Sequence, residues 1–314
     1  MKKRNLTISN HALKRYADLD YDEWYAIAEF VDNSLHSYFE KQSTLKKIGI
    51  KQCDVKIAIS KENGEEYIEI FDNAGGIHED EFDRLLTFGV KKPKAEYQLS
   101  EFGMGMKTAG IWLGNKIEIE TKNYLDEKCF KITIDLDKLD EGKEVNIKEV
   151  VSSSNLKCYT KVKISNLNRS LYRKKKKIID SMASIYRKFI EEKSLKIYFE
   201  DVELNPFDFE FLKDAEAKDL IKAIEISLPS GKKAHGWLGI LMKGQSKISG
   251  FSVYKHKRLI QGYPETSWRP AEVYGREGGS NTLKNQTLFG ELDMSEFKVA
   301  HTKNKFNFQG DEEY

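Results

Sequence analysis

Glu29, Asp32, Asn33 and His36 recur at i, i+3, i+4 and i+7 within "AIAEFVDNSLHSYF". On a helix these four share one face, with Ile27, Val31, Leu35 and Tyr38 in an apolar stripe on the other side. A face carrying Glu, Asp and Asn together meets either water or a ligand, and the helix alone leaves both readings open. A second candidate is "IFDNAGGI", where Asp72 closes a strand and two glycines follow. A buried carboxylate at a strand end can accept a hydrogen bond from an exocyclic amine such as that of adenine, and glycines let a flat ligand approach the backbone. Taken alone, an Asp-Asn turn between strand and helix is the simpler reading. The third candidate is "SEFGMGMKTAG", in which Gly103 and Gly105 flank a helix start and Lys107 lies in its first turn. Helix N-terminal amides with a lysine suit phosphate. The spacing is neither a P-loop nor a Rossmann fingerprint.

The elements that must position these residues follow from periodicity. Residues 22–40 read as an amphipathic helix, with Asp20 or Asp22 as its cap. "CDVKIAIS" and "EEYIEIFD" alternate as strands around Asn63-Gly64, a strong hairpin signal. "KIEIETK", "CFKITIDL" and "TKVKISNL" are three more strands. The first domain is thus α+β, with helices on one side of a largely antiparallel sheet. "RKKKKIIDSMASIYRKFIEEK" reads as one long helix burying Ile178, Met182, Ile185 and Phe189, and "LKIYFEDVEL", "KAIEISLP", "HGWLGILMK" and "SGFSVYKHKRLIQG" as strands of a second α+β domain. The basic run Arg173–Lys177 reads as a solvated helix end rather than a nucleic-acid patch.

Composition narrows the class. The 314 residues exceed one ordinary domain. At 39% hydrophobic and 32% charged the chain is globular, and a net charge of +2 gives no general argument for nucleic acid. Three scattered cysteines, Cys53, Cys129 and Cys158, suggest neither a disulfide framework nor a zinc site. No apolar run spans a membrane and the basic N-terminus lacks an apolar signal core, so a cytoplasmic, reduced protein is expected. The end at Tyr314 carries no obvious terminal structure, which suits a piece of a longer protein.

The order of the three motifs, Glu-x-x-Asp-Asn, then Asp-Asn-x-Gly-Gly, then Gly-x-Gly-x-Lys, resembles the GHKL ATPase superfamily of gyrase B subunits, ninety-kilodalton heat-shock chaperones, histidine kinases, MutL and MORC proteins. "YAIAEFVDNS", "FGMGMKTAGIWLG" and "VYKHKRLI" are most similar to MORC-type members. The resemblance implies a two-layer α/β sandwich of the Bergerat ATP-binding type over residues 1–169 and a smaller transducer domain of ribosomal S5 type over 170–314. It implies ATP and Mg2+ as cofactors, with Glu29 as general base, Asn33 on the metal and Asp32 supporting them. Asp72 would read the adenine amine, Thr160 would assist through water, and Gly76 with Ile77 would admit the base. Gly103, Met104, Gly105, Met106 and Lys107 would bind phosphates. "HTKNKFNF" is similar to the lysine-bearing loop of the MORC transducer, which puts Lys305 on the γ-phosphate, with Lys303 two residues away as the alternative. A lid over residues 77–102, an ATP-bound homodimer and a DNA or protein client also follow from the resemblance. Two departures stand out: Ala74 replaces the first glycine of the usual D-x-G-x-G, and His36 or Ser37 stands where gyrase-like members place an acid. His36 is expected to be structural or solvent-facing rather than catalytic. A chaperone-like or MutL-like switch on a protein partner, a histidine-kinase-type phosphotransferase and a non-catalytic interaction protein are the competing functions. The phosphotransferase reading is disfavoured because too few residues precede the first motif for a phosphoacceptor hairpin.

Overall fold

In the computed structural model the described residues are 22–87, 105–138, 145–228, 230–275, 282–300 and 303–307. The chain divides into two units, one of Met1–Ile178 with Lys193–Leu204, the other of Ile179–Glu192 with Asn205–Tyr314.

In the first unit, helix α1 (Glu23–Lys47) extends seven residues beyond the expected 22–40 and ends with Lys46 and Lys47 at its negative dipole end. Strands β1 (Cys53–Glu62) and β2 (Glu65–Asp72) form the expected hairpin. Asn63 and Gly64 both take positive φ, 52° and 86°, as a tight two-residue turn requires. A short helix α2 (Phe82–Leu86) and helix α3 (Gly105–Leu113) precede β3 (Gly114–Lys122), β4 (Cys129–Asp135), β5 (Asn146–Val150) and β6 (Tyr159–Leu167). Strands β7 (Leu195–Phe199) and β8 (Val202–Glu203) complete an eight-stranded sheet ordered β5-β4-β3-β6-β2-β1-β7-β8. Every pairing is antiparallel except β1 with β7.

The alternation seen in the sequence has a direct cause. Ile57, Ile59, Ile68, Ile70, Ile119, Ile132 and Ile164 are buried on one face of the sheet. The intervening residues carry cross-strand ion pairs, including Lys131–Glu118 at 2.9 Å and Lys161–Glu69 at 3.4 Å. A sheet covered on one side and wet on the other produces this period of two.

Three features depart from expectation. β5 has no alternation because it is an exposed edge strand. β7, expected in the second domain, instead pairs in parallel with β1 of the first sheet. The long helix of the 170s is two helices, α4 (Lys175–Ile185) and α5 (Arg187–Glu191), separated at Tyr186, whose φ of −105° and ψ of 13° leave the α region. The four apolar residues assigned to its buried side are all buried. The basic run before it is engaged within the first unit. Lys174 Nζ lies 2.6 Å from Glu23 Oε1, Lys175 pairs with Glu200, and Lys177 sits 4.0 Å over the Trp24 ring.

The second unit holds a five-stranded sheet, β12-β11-β13-β10-β9, from β9 (Ile221–Ser227), β10 (Lys233–Ile240), β11 (Gly250–Lys255), β12 (Arg258–Gln261) and β13 (Leu288–Asp293). Phe251, Val253, Leu292, Met294 and Phe297 build its core. Beside that core, Glu291 takes Arg187 Nη1 at 2.8 Å and the Tyr254 hydroxyl at 3.1 Å. A last hairpin, β14 (Lys298–Val299) with β15 (Phe306–Asn307), carries Lys303 and Lys305 between its strands. Among the described residues no helix is long and apolar enough to cross a membrane. All three cysteines are free and buried.

Candidate functional site

The sheet register sets the base end of the site. In β2 the buried positions run Ile68, Ile70, Asp72, so a carboxylate occupies the last place of an apolar stripe. Asp72 stands opposite Val55 on one side and Thr160 on the other, and Thr160 stands opposite Thr121. Asp72, Thr160 and Thr121 therefore form one transverse polar row on the covered face. The Ser34 hydroxyl and the Ala74 N–H each donate to Asp72 at 2.8 Å. Burial pushes the Asp72 carboxyl above the ordinary aspartate value, and these donors, the Lys41 charge and the Thr160 N–H only partly oppose it.

The turn after Asp72 is satisfied from both sides. The Ser37 hydroxyl donates to Ala74 O at 2.7 Å, and Lys41 Nζ to Gly76 O at 3.1 Å. The Ile77 N–H donates to Thr121 Oγ1 at 2.8 Å, and Asn123 Nδ2 to Gly76 O at 3.2 Å. Gly76 has φ of +67°, and a Cβ there would lie 2.0 Å from Lys122 O. Only glycine fits that approach.

At the other end, α1 and α3 converge. Asn33 Nδ2 donates to Glu29 O at 2.6 Å, which leaves its Oδ1 acceptor for the cleft that Asn33 lines. Glu29 is buried, and a Cβ on Gly105 would lie 1.9 Å from its Oε2. Gly105 is thus the residue that lets α3 start against the glutamate. The other end of α3 is capped by Asn168 Nδ2, which donates to Ile111 O at 3.0 Å and Trp112 O at 3.2 Å. Lys107 Nζ donates to Arg84 O at 2.9 Å and to Thr87 O, both at the end of α2. Burial, and then the Arg84 charge, hold its pKa below the ordinary lysine value. A phosphate at Lys107 has to exchange with those carbonyls.

One cavity is lined by Asn33, Gly76, Ile77, Gly105, Met106 and Lys107. Glu29, Asp72 and Asp32 are buried and do not line it, with Asp32 fully buried in α1. Thr160 is half-buried in its row beside Asp72. Gly103 and Met104, and residues 88–102 of the expected lid, lie outside the described residues. Lys305 belongs to the second unit and is exposed; Lys303 is buried there at φ of 52°, and its carbonyl accepts from Arg258 Nη1 at 3.3 Å. The polar face of α1 does not meet bulk water, because Glu29, Asp32 and His36 are all buried. His36 lines the cavity instead of facing solvent. Among the described residues no cluster of three or more His, Cys, Asp or Glu could hold a metal. The donor set fits Mg2+, which takes few protein oxygens and completes its shell with phosphates and water.

The sequence reading missed Ser34, Ser37, Lys41, Thr121 and Asn123. Ser34, Ser37 and Lys41 recur at i, i+3 and i+7, a stripe beside the motif residues that could have been found by the same count. Thr121 and Asn123 had no local signal, because strand register brings them to the turn.

Residues 21–167, just under half of the chain, match the family model of histidine kinase-, DNA gyrase B-, and HSP90-like ATPases. The match supports the GHKL superfamily for this segment, a class whose members are generally ATPases. No curated protein matches the chain.

Two expectations follow. Gly76→Ala, which drives a Cβ into backbone at positive φ, should cost at least about 2 kcal/mol in urea unfolding, whereas Gly105→Ala, which meets only the end of a flexible side chain, should cost less than about 1 kcal/mol. Asp72 has a raised folded-state pKa, so its contribution to stability is present while it is protonated and is lost as pH rises through that value. Asp72→Asn should therefore hold or raise the unfolding midpoint at neutral pH, and lose that advantage in acid.

Proposed function

We propose that this chain binds ATP with Mg2+ in the cleft between α1, the Asp72 turn and α3, hydrolyses it, and uses the nucleotide to close a homodimeric clamp. The observation that carries the reading is the single cavity that gathers Asn33, Gly76, Gly105 and Lys107, with Glu29 against Gly105. These residues come from the three sequence-distant motifs on which the GHKL resemblance rests, which supports the reading.

In this reading Asp72 accepts the adenine amine, Thr160 assists through a water, and Gly76 and Ile77 admit the base. Gly103, Met104, Gly105, Met106 and Lys107 hold the phosphates. Asn33 holds Mg2+ through Oδ1, with Asp32 behind it, and the metal supplies charge neutralisation at the phosphates. Glu29 accepts a proton from the attacking water as the oxygen bonds to the γ-phosphorus and the bond to the departing ADP oxygen breaks. Lys305 is assigned to the γ-phosphate as the contribution of an S5-like transducer, with Lys303 the alternative. The chain's likeness to MORC-type motifs favours a DNA client or a defence role, and a chaperone-like or MutL-like switch on a protein partner is the second reading.

Glu29→Ala should retain nucleotide affinity and lose roughly 100- to 10,000-fold in steady-state hydrolysis, the usual contribution of a general base. Unchanged turnover in that variant would remove Glu29 from the chemistry. Gel filtration with a non-hydrolysable ATP analogue should move the wild type from monomer to dimer. No shift would exclude the clamp.

A further inference from the structure

Between its base end and its phosphate end, the cleft wall is one stretch of α1. His36, Ser37, Glu40 and Lys41 line it there. Two of these hold the adjacent turn, since Ser37 Oγ donates to Ala74 O and Lys41 Nζ to Ser37 Oγ and Gly76 O. The other two face each other, with His36 Nε2 3.1 Å from Glu40 Oε1. Their exposure differs in a way that decides their roles: the His36 side chain is 5% exposed and the Glu40 side chain 36%. Both line the cleft; the imidazole is the buried partner and the carboxylate the more accessible one. Across the cleft, Glu81 and Arg84 pair with each other.

Glu40 lies seven residues beyond Asn33, roughly 10 Å along the helix axis. A ligand with its phosphates at Asn33, Gly105 and Lys107 and its base at Gly76 places its sugar beside this segment of α1. A ribose offers two vicinal hydroxyl donors, and a carboxylate offers two acceptor oxygens in matching geometry. We propose that Glu40, positioned by His36, is the ribose-recognition residue of the cleft and makes the protein select ribonucleotides over deoxyribonucleotides. The inference rests on the nucleotide reading of the site and adds a specificity to it.

The test compares binding of ADP, 2′-deoxy-ADP and 3′-deoxy-ADP to the full chain by calorimetry. Wild type should bind ADP about tenfold or more tightly than 2′-deoxy-ADP, the loss expected when a charged acceptor is left without its donor, and equal binding of those two overturns the selectivity. Glu40→Ala should bring ADP down to the affinity of that analogue and leave the analogue's affinity unchanged. His36→Leu should reduce the ADP preference in the same direction, with the analogue as its internal control for folding. Equal binding of all three nucleotides by wild type overturns the inference and leaves the nucleotide site standing. A Glu40→Ala variant that weakens all three by one factor also overturns it, since that is a structural effect. Failure of wild type to bind any of them overturns both this inference and the nucleotide reading.

Discussion

The first unit depends on how α1 is fastened to the turn after β2. Asp72 is a carboxylate in an otherwise apolar stripe, and ionised it would be expensive to bury without donors. Ser34 and Ala74 supply two, and Ser37 and Lys41 extend the same seam along the turn. Because all three α1 side chains lie on one stripe, a single helix orientation satisfies the turn's carbonyls and the Asp72 carboxylate together. That orientation also fixes Asn33, His36 and Glu40 on the neighbouring stripe, where they line the cleft. The polar contacts that fasten the helix therefore aim the residues available to a ligand.

Glycine enters this arrangement at two places for different reasons. At Gly76 the constraint is backbone on backbone, with a left-handed φ and a carbonyl where a side chain would go. At Gly105 the constraint is a carboxylate, the side chain of Glu29. Replacing the first strains the fold itself. Replacing the second displaces the Glu29 carboxylate while the fold around it can persist.

Much of this is legible in the sequence. Asn63-Gly64 between alternating runs specified its hairpin, because two positive-φ positions admit few residues. The stripe of Ile27, Val31, Leu35 and Tyr38 specified the buried side of α1, and all four are buried. Asn33, Gly76 and Lys107, one from each motif, line one cavity, while Glu29, Asp32 and Asp72 of the same motifs do not. What escaped detection was set by tertiary contacts. The length of α1, the break at Tyr186 and the exposed strand β5 leave weak or misleading local patterns. Strand register, which no local pattern encodes, placed Thr121 beside the turn. The burial of Glu29 and Asp32 contradicts their polarity, and for Glu29 it follows from the start of α3 closing against it at Gly105. The lysines after Arg173 looked like a solvated end, yet Lys174, Lys175 and Lys177 each have an internal partner.

The parallel pairing of β7 with β1 also bears on how the molecule can be dissected. The chain leaves the first unit after Ile178, re-enters at Lys193 and leaves again after Leu204. A fragment cut where the helices begin would lack β7 and β8, and the backbone of β1 from Cys53 to Ile57 would lose its hydrogen-bonding neighbour on the side away from β2. That bare edge, lined by residues of alternating hydrophobic pattern, is a template for pairing with other molecules of the same fragment. An isolated first unit that stays in solution as single molecules has to run through Leu204 and carry the intervening helices with it.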